Sequence, residues 1–118
     1  MSIESFDKDI QKFAKKSGLE VDKVVKKVVL QAWRGVTLKT PVDTGRARGN
    51  WNLSEGSIDG SINNSATTIK AYREPKGKKD VYITNSLPYI GLLEKGSSKQ
   101  APKGMVSTTM NEIRSQFK

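Results

Sequence analysis

Arg46 and Arg48 stand two positions apart, directly after the corner Pro41-Val42-Asp43-Thr44-Gly45. In an extended chain alternate residues share a face, so the two guanidiniums are expected to point the same way. The chemistry open to them is electrostatic: an ion pair with Glu94, or attraction to phosphate backbones and acidic protein surfaces. Asp43, Asp80 and Glu94 are the only carboxylates that qualify as candidates for metal-assisted hydrolysis, and the remaining acidic residues are scattered without calcium-loop spacing. The chain has no histidine and no cysteine. That excludes a Ser-His-Asp or Cys-His device within the chain, thiolate metal sites and disulfides. No phosphate-binding glycine loop, dinucleotide fingerprint or nucleophile elbow occurs. These residue types read as a scaffold more than a catalyst, with no enzyme activity, metal or cofactor expected.

Charge and length narrow the classes further. Twenty-one basic against 12 acidic residues give a net charge of +9, which favours acidic partners of either kind, nucleic acid or protein. Residues 1–118 fit one domain with a modest core. Hydrophobic residues are only 35% of the chain, as in a domain with long loops or one that completes its core against partners. No apolar run approaches the ~20 residues of a membrane span, and the N-terminus lacks a signal-peptide apolar region. A soluble intracellular protein without a membrane partner is expected.

The elements that position the arginines are legible as an α+β pattern. Ile3, Phe6, Ile10 and Phe13 recur at helical spacing from Ser2 to Lys16, and Gly18 then marks either a helix end or a weak point between two helical segments. Leu19 to Lys39 predicts a long amphipathic helix, with Val21, Val25, Val28, Ala32 and Val36 as its stripe and Val24, Val29 and Trp33 flanking. Lys23, Lys26 and Lys27 read as a solvated helix face or a DNA-facing one. Pro41 ends this helix.

The remainder predicts a small, mainly antiparallel sheet with long loops and a short C-terminal helix. A strand is expected from Arg48 to Ser54, with Trp51 and Leu53 facing the core. Residues 55–68 read as a loop, with a hairpin placed at Asp59-Gly60. Further strands are expected at Thr67–Tyr72 and Val81–Asn85, then a short helical element over Leu87–Lys95. Met105 to Phe117 reads as a strand or a final helix. Val106, Met110, Ile113 and Phe117 fit a helix stripe, but Ser107-Thr108-Thr109 is a poor helix former. That favours a strand start near Met105 and a short helix from Asn111. Arg73–Asp80, with Lys76, Lys78 and Lys79, reads either as a solvated turn or as a loop reaching DNA or an acidic surface. Ser54–Ala66 and Arg73–Asp80 are both expected to be mobile until partners order them.

Two blocks of sequence carry a resemblance. Thr40-Pro41-Val42-Asp43-Thr44-Gly45-Arg46-Ala47-Arg48-Gly49-Asn50-Trp51 is the first. Asn85-Ser86-Leu87-Pro88-Tyr89-Ile90 with Leu93-Glu94-Lys95-Gly96 and the run Ser97–Val106 is the second. Together, in this order, they resemble the tail-completion or head–tail joining (neck) proteins of tailed bacteriophages, the minor tail protein Z-like group. Leu53 to Lys79 matches neither block.

The resemblance implies a structural virion protein, assembled in the host cytoplasm. It implies rings, often sixfold, around the DNA channel at the neck, touching the tail tube or terminator on one side and the head connector on the other. The basic loops would then face channel DNA or an adjoining ring. It makes Pro41, Asp43, Gly45, Arg46, Arg48, Trp51, Tyr89, Glu94, Gly96, Gln100 and Pro102 the expected interface or packing residues. The alternative carried by charge alone is a free-standing nucleic-acid-binding protein. Against it, aromatic residues are only 7% and no nucleic-acid-reading motif occurs.

Overall fold

Gly18 separates two helices. The structure, a computed structural model, describes residues 3–42, 45–76 and 79–117. Helix α1 spans Ile3–Ser17 and α2 spans Val21–Lys39. Gly18 between them has φ +69°. The Leu19 amide donates to the Ala14 carbonyl at 2.9 Å and the Gly18 amide to that of Lys15 at 3.4 Å. This paired closure needs a residue at positive φ, which glycine supplies without a Cβ clash.

Helix α2 is the spine, and its two halves serve two cores. Its first half places Val24 and Val28 against Ile10 and Ala14 of α1 and against Ile113 from the C-terminal helix. Phe13 and Phe117 meet edge to face on this cluster, with ring centroids 5.1 Å apart. Its second half places Trp33 and Val36 against Trp51, Ala101 and Met105. The buried stripe is rotated from the one the valine spacing predicts: Val24, Val28, Val29, Trp33 and Val36 are inside, whereas Val21 is 44% exposed. Among the described residues the early turns of α2 pack on α1 and the C-terminal helix, and those lie over Val24 and Val28.

Beyond α2 the chain forms a two-stranded antiparallel sheet. Strand β1, Trp51–Glu55, pairs with β2, Val81–Asn85, with Trp51 opposite Asn85 and Glu55 opposite Val81. Helices α3, Ile90–Glu94, and α4, Val106–Ser115, follow. The fold class is α+β, with the long helix, the small sheet and the short C-terminal helix in the expected order. Alternation puts Leu53 and Ile83 on the face that meets the Trp33 cluster.

Four local expectations are corrected. Arg48 does not begin a strand: Arg48–Asn50 is a single 3-10 turn, and Ala47 before it is in the right-handed helical region. Thr67–Tyr72 forms no strand, and no hairpin forms at Asp59-Gly60. Asp59 instead accepts the Ser61 amide at 3.0 Å through its own carboxylate, the local side-chain turn open to Asp. Residues 106–115 are one helix with no strand near Met105. The poor helix formers there are accommodated because they sit in the first turn. Ser107 and Thr108 hydroxyls donate back to the carbonyls of Lys103 and Gly104.

Candidate docking site

The corner after α2 is built around Thr40. Its backbone leaves the helix in an extended conformation, as a residue before proline must. Its hydroxyl donates to the Val36 carbonyl at 2.6 Å and accepts the Trp51 indole N–H at 2.8 Å. Trp51 is 4% exposed, so of its two expected roles it takes the packing one. Arg48 turns back and donates to the carbonyls of Thr40 and Leu38, both at 2.8 Å. These are carbonyls left open at the end of α2, where a cation is favoured.

The helical turn at Ala47 sends the two arginines apart instead of along one face. Arg46 donates to the Asn64 side chain, and its guanidinium lies 5.7 Å from the centre of the Tyr89 ring, within cation–π range. Gly45, at φ +82°, allows the carbonyl of Thr67 to approach so closely that a Cβ would lie 2.0 Å from it.

The second sequence block meets this corner directly. The Gln100 side chain accepts the Val42 amide at 2.8 Å and donates to the Val42 carbonyl at 3.3 Å. A side-chain amide thus pairs with a peptide on both of its hydrogen-bonding groups, as a neighbouring strand would. Two open hollows flank the junction. One, of about 600 Å³, is lined by Pro41, Arg46 and Tyr89 among others; the other, of about 500 Å³, by Lys39, Arg48, Gln100, Pro102 and Lys103 among others. Each draws its walls from both blocks.

Glu94 does not pair with either arginine as expected. Its carboxylate accepts the amides of Met105, Val106 and Ser107 at 2.9, 2.8 and 3.1 Å, and so closes the N-terminus of α4. Those amides are open donors at the positive end of a helix dipole, a stronger attraction than a solvated guanidinium offers. Gly104, at φ +84°, has no side chain to keep the carboxylate away. Partial burial pushes the Glu94 carboxyl up, but the three amides outweigh it and hold the group below its ordinary range.

A group with a depressed folded pKa contributes stability above its unfolded value and loses it as pH falls through the folded one. Glu94→Ala is therefore expected to lower stability by about 1–2 kcal/mol near neutral pH. The deficit relative to the parent should shrink under acid. Urea titrations at neutral and acidic pH check this; a deficit independent of pH would deny Glu94 its capping role.

The other expected site residues fall as follows. Pro41 is buried and Pro102 exposed. Gly96 is at φ +93°, and a Cβ there would lie 2.2 Å from the Pro102 carbonyl. Lys76 and Lys79 are exposed at the far end of the sheet, where the Lys76 amide donates to Glu55 at 2.8 Å. Asp43 and Lys78 lie outside the described residues. Among the described residues no three Asp or Glu come together in a group able to hold a metal ion, and one salt bridge forms, Lys39–Glu112 at 2.8 Å.

Sequence reasoning missed Asn50 and Asn52. Asn50, fully buried, donates to the Arg46 and Asn63 carbonyls and accepts the Asn63 amide. Asn52 donates to the carbonyls of Asp59 and Ser61 and accepts from Lys70. These amides fasten the Ser- and Gly-rich loop onto β1. The available signal was two asparagines bracketing a buried tryptophan, where a strand calls for apolar or β-branched residues. No protein-family model, curated protein or solved structure matches this chain.

Proposed function

We propose that this chain is a structural assembly protein of a tailed-phage virion that completes the tail end or joins tail to head at the neck. It acts by surface complementarity with no bond made or broken. The observation that carries the reading is the two-point Gln100–Val42 bridge, which joins the two sequence blocks into one surface. Walls drawn from both blocks, with Arg46, Arg48, Tyr89 and Lys103 among them, suit an aromatic and cationic interface. The partners in this reading are further copies of the chain in a ring, the tail tube or terminator, and the head connector. Exposed Lys76 and Lys79 provide for non-specific contact with channel DNA.

Electron microscopy of particles assembled without the protein tests the proposal. Full heads and finished tails that fail to join are the expected result. Joined, infectious particles would overturn it. Salt-sensitive binding of arbitrary duplex DNA by the isolated protein, combined with normal joining, would move the assignment to a free-standing nucleic-acid-binding protein.

A further inference from the structure

The backbone of Thr67–Arg73 makes no hydrogen bond to any described residue. These are seven consecutive residues of strand-forming composition, with Thr67, Thr68, Ile69 and Tyr72 among them. The segment tracks β1 without joining it. The Thr67 and Thr68 carbonyls sit against Gly45 and Gly49, Lys70 reaches Asn52, and the Lys76 amide reaches Glu55. Apart from those two carbonyls, its peptide groups meet no backbone partner among the described residues.

The opposite side of the sheet has the complementary deficiency. The Gly56 amide donates to the Asp80 carbonyl at 2.8 Å. With the register of the two strands, that bond fixes which residues point inward: hydrogen-bonded pairs alternate in an antiparallel ladder. Tyr82 and Thr84 bond to β1, so Val81, Ile83 and Asn85 turn their N–H and C=O groups away from it. No described backbone group meets them. Edge strands are ordinarily blunted by proline, lysine or a bulge. Val81-Tyr82-Ile83-Thr84-Asn85 contains no proline and no charge.

We infer that Thr67–Arg73 of one copy of this chain adds as a strand to the free edge of β2 in a second copy. Each copy offers one donor segment and one acceptor edge, and its own segment is held against β1. The contact is therefore head-to-tail and repeats from copy to copy. Main-chain bonds supply the attachment, and Ile69 and Tyr72, already half-buried in the second core, anchor the donor in its own subunit. The inference deepens the assembly role proposed above by naming the contact between copies. Its test needs no virion, so the two can fail separately.

The parent chain has no cysteine, which makes site-directed crosslinking clean. Two proteins, Ala71→Cys and Tyr82→Cys, are mixed under mild oxidation. A mixed 71–82 disulfide dimer exceeding both homodimers is the expected result. In parallel, sedimentation over a concentration series compares the parent with Thr68→Pro and Val81→Pro. Neither proline removes a bond of the β1–β2 ladder, and circular dichroism establishes that each variant is folded. Each is expected to weaken self-association about tenfold, the effect of deleting one backbone hydrogen bond from a small contact. An 82–82 crosslink alone would show edge-to-edge pairing of β2 and overturn the proposal. So would a parent that stays monomeric at all concentrations, or association unchanged by both prolines.

Discussion

Replacing Trp51 by alanine is expected to lower the unfolding free energy by about 3–5 kcal/mol, the range for removing a large aromatic from a packed core. Trp51 is 4% exposed and shares its cluster with Trp33, Val36, Ala101 and Met105. It also holds the corner after α2, because its indole N–H donates to the Thr40 hydroxyl at 2.8 Å. Truncation therefore opens a cavity and removes a buried hydrogen bond together. Trp51→Phe separates the two effects: most of the volume stays and the hydrogen bond goes, for an expected loss of about 1–2 kcal/mol. Urea unfolding followed through Trp33 fluorescence measures both. A loss under about 1 kcal/mol for the alanine variant would mean that this cluster does not hold the sheet to α2.

Gly45→Ala is expected to rank second, at about 3 kcal/mol. Two costs add at this position. Its φ of +82° is strained for any residue with a Cβ, and the added carbon would lie 2.0 Å from the Thr67 carbonyl oxygen. The obstacle is backbone, so no rotamer change relieves it. Two further glycines calibrate the effect. Gly18 is also at positive φ, but nothing lies within 4 Å of its missing Cβ, so alanine there should cost only the backbone strain of about 1 kcal/mol. Gly91, inside α3 with equally open space, should gain about 0.5–1 kcal/mol with alanine. Thermal unfolding of the three variants checks the order. Equal losses at Gly45 and Gly18 would remove Thr67 from its place against the corner.

The helices were readable because their apolar period is long and their boundaries carry unambiguous residues. Gly18 and Pro41 mark the two C-terminal ends, and Val81–Asn85 alternates cleanly between turn residues. The stretch from Ser57 to Arg73 was not readable in the same way. It is fastened by single side-chain amides, Asn50 and Asn52, to residues that no periodicity links. Thr67–Tyr72 has the composition of a strand, and composition says nothing about whether a partner edge lies in register. The Met105 region failed for a related reason. Its helix begins under a carboxylate donated from Glu94, 11 residues earlier, a tertiary cap that local propensity cannot contain. At the corner, the sequence misjudged the company of two charged residues. Arg48 serves the end of α2 and Glu94 the start of α4, each neutralising a helix terminus in place of the other's charge.

The Gln100–Val42 bridge spans 58 positions of chain. Closing a flexible loop of that length costs about 3–4 kcal/mol of chain entropy, more than two hydrogen bonds return. The bridge therefore cannot close that loop by itself, and depends on helix packing to hold its ends together. A chain that ends before residue 100 lacks Gln100, and with it the surface that spans the two blocks.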